Sequence, residues 1–259
     1  MFPILIQFNG FVIHTYGVFV ALGVLSGIFF ARYEARRVGL DADKILDLCF
    51  YIILAAIVGS RLFYVATHIS YFMAHPVEIF TIWNGGLVFY GGFIGAALVV
   101  LIYLWVYRLP LGKTADIAGL SLPLGHFFGR IGCLFAGCCY GQACELPWAI
   151  TFTHPESLAP LNVMLHPTQL YHSAANILIF LVLFFLRRGK RFDGQIFWLY
   201  VLFYGAARST IELFRGDYRG AMVLDVFSVS QVIGISSVVV AVIMLTILSK
   251  KAKASDKNG

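Results

Sequence analysis

Long apolar runs separated by short basic segments leave this chain few ways to fold. Seven such runs are read, at about 16–30, 46–64, 84–107, 116–137, 170–186, 194–213 and 228–248. A run of this kind in hydrocarbon has no outside partner for its N–H and C=O groups, so it closes its own hydrogen bonds as a helix. Composition supports lipid as the surrounding solvent: 12% of the 259 residues are charged, about half the share of a soluble domain. The expectation is therefore an all-α polytopic membrane protein with about seven transmembrane helices, forming one domain over 1–259.

Basic residues set the expected orientation. Arg32, Arg36, Arg37 and Lys44 follow the first run, Arg108 and Lys113 the third, Arg187 to Arg191 the fifth, and Lys250 to Lys257 the seventh. Cytoplasmic loops concentrate Lys and Arg, so these belong inside, with the N-terminus out and the C-terminus in. The segments 67–84 and 138–170 contain no Lys or Arg and belong outside, in a periplasm-like compartment. The second, broken by Pro147, Pro155, Pro160 and Pro167, is the one sizeable irregular element. The loop 214–227 is also placed outside, against the charge rule, because it carries Arg215 and Arg219. Residues 1–14 are too short to span and are assigned to the interface. They lack a basic n-region and a small-residue cleavage site, so no removable signal peptide is expected.

The net charge of +6 is spent on these loops, which argues against nucleic acid as a partner. Glycines within apolar runs, including the pairs at 85–86 and 91–92, fit close helix packing.

Several polar residues do not serve topology. Arg130 falls in the outer half of the fourth run, where an arginine needs a partner or a purpose, and is read as binding or catalytic. His126 lies one turn earlier on the same face, and both a functional role and a satisfied buried histidine stay open. Arg208 and Glu212 share a face at i, i+4, either as a pair joining helices or as part of a site. Arg215 lies two turns beyond Arg208, and three arginines on one outer pocket would form a phosphate clamp. Tyr16 and Tyr90 sit at the outer mouths of the first and third runs, Tyr90 between glycine pairs. Thr168 and Gln169 are expected to cap the fifth helix or to bond across the bundle. Four of the five cysteines, Cys133, Cys138, Cys139 and Cys144, fall within twelve positions. In an oxidising compartment they suit one or two disulfides. A catalytic thiol is another reading, whereas the spacing matches no standard zinc site, so neither metal nor cofactor is expected.

Five ordered blocks carry a resemblance: His14-Thr-Tyr-Gly17, Gly85-Gly-Leu-Val-Phe-Tyr-Gly-Gly92, the Gly129-Arg-Ile-Gly signature running to Gly141, His166-Pro-Thr-Gln-Leu-Tyr171, and Arg208 to Arg215 with Glu212 between. Together they resemble the phosphatidylglycerol:prolipoprotein diacylglyceryl transferase family over nearly the whole chain. The resemblance implies a bacterial inner-membrane enzyme with its active site toward the periplasm. It would move the diacylglyceryl group of phosphatidylglycerol onto the lipobox cysteine of a prolipoprotein, releasing glycerol phosphate. It further implies that Arg130 and Arg208 bind the headgroup, that Glu212 and Arg215 support them, and that Tyr16 matches a required tyrosine.

Departures from that pattern are informative. Tyr90 stands where the family usually has the histidine proposed as base, and a phenol with a pKa of about 10 is a poor base near neutrality. Cys133 and Ala136 replace the usual asparagines, and Cys138 the usual glutamate. These changes turn attention to His14 or His126 as the base. They also motivate two rivals: a relative with another acceptor, and a non-catalytic lipid-binding or thiol-redox membrane protein.

Overall fold

The computed structural model describes residues 2–8, 11–217, 222–223 and 227–257. Arg219 therefore lies outside the described residues. In chain order the elements are β1 (Ile4–Phe8), β2 (Phe11–His14), α1 (Thr15–Arg37), α2 (Ala42–Thr67), α3 (Ile69–Ala74), α4 (Phe89–Val106), α5 (Leu111–Ala136), β3 (Ile150–Thr151), β4 (Met164–Leu165), α6 (Thr168–Leu186), α7 (Gln195–Ile211), β5 (Met222–Val223), β6 (Phe227–Ser228) and α8 (Val229–Lys257). The all-α polytopic character is as expected, and the strands form three small antiparallel pairs outside the long helices.

Six helices, α1, α2, α4, α5, α6 and α8, are long and apolar enough to cross a membrane. With 17 residues, α7 covers about 26 Å at 1.5 Å per residue, a little under the ~30 Å hydrocarbon core. A 3-10 turn over Glu212–Phe214 continues it. Polarity runs opposite to that of a water-soluble bundle. Trp105 and Phe185 are 82% and 71% exposed, whereas Asp116, Gln169, His172, Asn176 and Glu212 are buried. Apolar surface meeting lipid costs nothing, while polar groups must find each other inside.

The chain divides into two compact units, 32–111 and the remainder. In the smaller unit, α2 and α4 approach backbone to backbone. A Cβ on Gly91 would lie 2.3 Å from the Gly59 carbonyl oxygen, and one on Gly92 would lie 2.4 Å from Ser60 Oγ, so the second glycine pair serves close packing. Beyond α2 the chain forms α3 and 3-10 turns at Pro76–Phe80 and Ile82–Asn84 where only a loop is expected. Arg61 organises this segment, donating from Nε to the Ile79 carbonyl at 2.9 Å, from Nη1 to that of Gly85 at 2.9 Å, and from Nη2 to that of Glu78. The Tyr71 hydroxyl donates to Glu78 Oε2 at 2.8 Å, and that bond raises the phenol pKa.

In the larger unit the N-terminal residues form a hairpin, β1 with β2. It is tied to the start of α1 by Thr15 N–H donating to the Pro3 carbonyl at 2.9 Å and Thr15 Oγ1 to that of Phe2 at 2.6 Å. Asp116, near the start of α5, accepts from the N–H groups of Gly194, Ile196 and Phe197 at 3.0, 2.9 and 3.1 Å, and from Lys190 Nζ at 2.9 Å. Gly194, at the N-cap of α7, offers no side chain, so a carboxylate from another helix satisfies those donors. Burial opposes the Lys190 charge, but the bonds to Asp193 and Asp116 outweigh it and raise its pKa. One core cluster joins Leu120, Ile179, Leu183, Ile196 and Tyr200 of α5, α6 and α7. A smaller one, Phe152, Ala159 and Leu165, steadies the irregular segment after α5.

Candidate functional site: arginines, a buried carboxylate and thiols

All the residues that build this site belong to the larger unit. Arg130 is 14 residues beyond Asp116 on α5, about 21 Å along the axis. The cluster thus sits near the helix ends opposite those tied by Asp116. The end of α5 with the turn after it, the start of α6, the end of α7 and the start of α8 converge there.

The turn is held from several sides. Gly137 has φ 76° and Cys139 φ 57°, the left-handed region that costs a side-chain-bearing residue roughly 1–2 kcal/mol. Thr168 Oγ1 donates to the Cys139 carbonyl at 2.7 Å and Gln169 Nε2 to that of Cys138 at 2.8 Å. Strain of this kind persists where neighbours over-determine the backbone. Gly141 and Arg215 pair as an antiparallel bridge, with Gln142 N–H donating to the Phe214 carbonyl at 2.8 Å and Gly216 N–H to that of Tyr140 at 3.1 Å. This close approach requires glycine on both sides. A Cβ on Gly216 would lie 2.6 Å from the Gly141 carbonyl oxygen, and one on Gly141 would lie 2.6 Å from that of His166. The bridge brings the signature after Arg130 to the arginines that end α7.

Glu212 is the polar hub. Its carboxylate accepts Ser228 Oγ at 2.8 Å and the Ser230 hydroxyl, and pairs with Arg208 Nη1 at 3.0 Å and Arg215 Nη1 at 3.9 Å. Arg208 Nη1 also meets His172 Nε2 at 3.1 Å. An arginine only donates, so Nε2 is the acceptor and His172 is neutral with its proton on Nδ1. Arg215 makes a bidentate pair with Asp217, Nε to Oδ1 at 2.9 Å and Nη2 to Oδ2 at 2.6 Å. Burial opposes its charge, and the Asp217 bonds more than compensate, raising its pKa.

Arg130 differs from its neighbours. It lies within electrostatic reach of Tyr204, Cys139, Cys133 and Arg215, yet among the described residues no hydrogen bond or ion pair engages its guanidinium. Two arginines are thus held by carboxylates, and the third keeps five N–H donors in a fork suited to phosphate or carboxylate.

Cys133, Cys138 and Cys139 are free thiols whose sulfurs all lie within 4.8 Å of one another, and Cys138 Sγ approaches the Cys133 carbonyl at 3.8 Å. Hydrogen bonds from the Cys133 and Cys138 thiols, reinforced by Arg130 and Arg215, push the Cys139 thiol well below its usual range. The expected disulfides are absent among the described residues, and Cys144 stands outside the trio. Its N–H donates to the Met164 carbonyl at 3.0 Å, extending the β3–β4 pairing.

The remaining expected site residues are distributed unevenly. Tyr16 is within electrostatic reach of the three thiols and Arg130, and its ring packs against Gly132. His126 accepts or donates through Nδ1 to the Tyr200 hydroxyl at 3.2 Å and lies over Tyr204 at 5.0 Å between ring centres, so it is held as an interior side chain. Gln169, expected to touch substrate, is fully buried, and its amide nitrogen supports the Cys138 turn. It does not cap α6, whose N-cap is Pro167. His14 ends β2 with its side chain exposed. Tyr90 belongs to the smaller unit, in the first turn of α4, and is 54% exposed.

His172, Asp217, Ser228 and Ser230 are missing from the sequence expectations. The signal for His172 is its position one residue past the His166–Tyr171 block, on the same helical face as Gln169 and Asn176.

A free guanidinium beside a carboxylate-ordered arginine pair has donors suited to a phosphate or a carboxylate, and it stands in a chain with six helices long and apolar enough to cross a membrane. The comparisons make this specific. The chain belongs to the prolipoprotein diacylglyceryl transferase family, whose sequence profile matches residues 3–247. It is 34% identical over 248 residues to a phosphatidylglycerol--prolipoprotein diacylglyceryl transferase of Clostridium tetani, covering 95% of this chain and 98% of that protein. Relatives of the same name in Clostridioides difficile and Bacillus licheniformis are each 34% identical, over 94% of this chain and 94% and 91% of theirs.

Proposed function

We propose that the protein transfers the diacylglyceryl group of phosphatidylglycerol to the lipobox cysteine of prolipoproteins, releasing glycerol phosphate. It would act in the bacterial cytoplasmic membrane with the arginine cluster toward the periplasmic side. The observation that carries the reading is Arg130, whose donors are unused beside two arginines already engaged by Glu212 and Asp217. A phosphodiester presents two non-bridging oxygens, which match a guanidinium fork. The basic residues near Asp116 lie about 20 Å away along α5, supporting an outer placement under the charge rule.

The acceptor thiol loses its proton to solvent, its sulfur attacks the glyceryl carbon, a C–S bond forms, and the C–O bond breaks with its electron pair going to the phosphate oxygen. Arg130 stabilises that oxygen as charge builds on it, and an interaction that strengthens in the transition state accelerates the step. Glu212 holds Arg208 in place and, with neutral His172, fixes the direction of its guanidinium. The test is a reconstituted assay with phosphatidylglycerol and a lipobox peptide, followed by mass analysis of the peptide. The expected result is one diacylglyceryl adduct on the cysteine and one glycerol phosphate released per adduct. Glycerol phosphate release with an unmodified peptide would move the reading to another acceptor, and neither product would remove it.

A further inference from the structure

The three thiols beside Arg130 are not used by the phosphate-binding account, yet the fold expends backbone strain to bring them together. Cys133 comes from the last turns of α5, and Cys138 and Cys139 from the turn that Thr168 and Gln169 hold. Sulfur atoms all within 4.8 Å of one another are close to the S···S spacing of about 3.8 Å set by tetrahedral geometry and a Zn–S bond of ~2.3 Å. Small side-chain rotations close the difference. A disulfide would draw two of them to about 2.05 Å and leave the third without a role.

We propose that Cys133, Cys138 and Cys139 form a three-thiolate site for a thiophilic divalent cation of the zinc type, with its fourth position open to the acceptor thiol. Soft thiolate sets select zinc and its chemical relatives, and a zinc site with three protein ligands keeps one position for water or substrate. A divalent cation with three thiolates carries one net negative charge, and Arg130 and Arg215 lie within electrostatic reach of Cys139 to balance it. The second half of the proposal rests on the transferase reading. There the acceptor thiol replaces a metal-bound water, releasing its proton to solvent, and is held as a thiolate. Its sulfur lone pair then forms the C–S bond as the electron pair of the broken C–O bond leaves on phosphate, and the neutral thioether gives way to water.

The test uses the full-length protein in detergent, stripped with chelator and titrated with cobalt(II) as the probe. The expected result is one cobalt per chain, with thiolate-to-cobalt charge-transfer bands and the d–d bands of tetrahedral cobalt. Affinity should fall at least tenfold in Cys138→Ser and Cys139→Ser and stay unchanged in Cys49→Ser and Cys144→Ser. Absence of these bands in the unaltered protein overturns the site, whatever happens to the variants. Recovery of three alkylatable thiols in place of five after denaturation points to a disulfide and also overturns it. A lipobox peptide should shift the d–d bands and its Cys→Ser form should not. An unshifted spectrum overturns the acceptor half alone. Peptide modification undiminished in the metal-free protein does the same, leaving the transferase reading intact. No peptide modification with a normal cobalt site removes that reading and leaves the metal site standing.

Discussion

Glu212→Gln isolates the electrostatic core of the site. The substitution keeps an acceptor for the Ser228 and Ser230 hydroxyls and removes the charge facing Arg208 at 3.0 Å and Arg215 at 3.9 Å. At an effective dielectric of about 20 the Arg208 pair alone is worth about 5.5 kcal/mol in gross Coulomb energy. Removing one partner of a buried pair costs about 3–5 kcal/mol. Arg208 is 16% exposed, so water recovers part of the loss, and a destabilisation near 3 kcal/mol is expected. An anionic lipid headgroup replaces the missing charge, so the variant should bind phosphatidylglycerol roughly tenfold more tightly than the unaltered protein, about 1.4 kcal/mol. Thermal unfolding in a neutral detergent, with and without added phosphatidylglycerol, measures both effects. The variant should unfold at a lower temperature and recover more of the deficit with lipid. Equal stability without lipid, or no extra recovery with it, would refute the assignment of Glu212 as the charge that orders the arginines.

Other predictions address the supports. Asp116→Asn leaves Lys190 with Asp193 as its one remaining carboxylate partner among the described residues and weakens three N–H bonds at the start of α7; a loss of about 3 kcal/mol is expected in detergent unfolding. Gly91→Val places a side chain into the Gly59 carbonyl, and separation of α2 from α4 should cost about 3 kcal/mol and reduce cross-linking between cysteines introduced on the two helices. Tyr90→Phe should leave substantial transfer activity, because the thiolate is supplied elsewhere; loss of all activity with normal lipid binding would assign its hydroxyl to proton transfer.

How far the chain could be read in advance depended on range. Apolar runs and flanking arginines gave the helices, since the demand that lipid makes on the backbone is local. Arg130, Arg208 and Glu212 stood out because charges in apolar helices are conspicuous. The partners of Arg208 and Arg215 did not: His172 resembles any polar residue on a helix, and Ser228 and Ser230 reach Glu212 across a connection of more than a dozen residues. The cysteine cluster was legible as four thiols within twelve positions, but which three of them meet was not. Cys133 precedes Cys138 by five residues, a spacing that a continuing helix would splay. Only the left-handed turn at Gly137 and Cys139, enforced from α6, folds the sulfurs back together. Gln169 was read as a substrate contact and as a cap or a bond across the bundle, and its amide makes the bond across, holding the Cys138 turn. The N-terminal hairpin escaped because one short pair of strands has too few residues to show an alternating pattern.

The central claim is that the unengaged guanidinium of Arg130 receives the lipid phosphate, and native mass spectrometry of bound lipid tests it most directly. Unaltered protein and Arg130→Ala, both purified in the same neutral detergent, are titrated with phosphatidylglycerol. The account predicts one phosphatidylglycerol per chain for the unaltered protein and at least tenfold weaker retention in the variant, with helix content unchanged. Equal retention by a correctly inserted Arg130→Ala protein would contradict it.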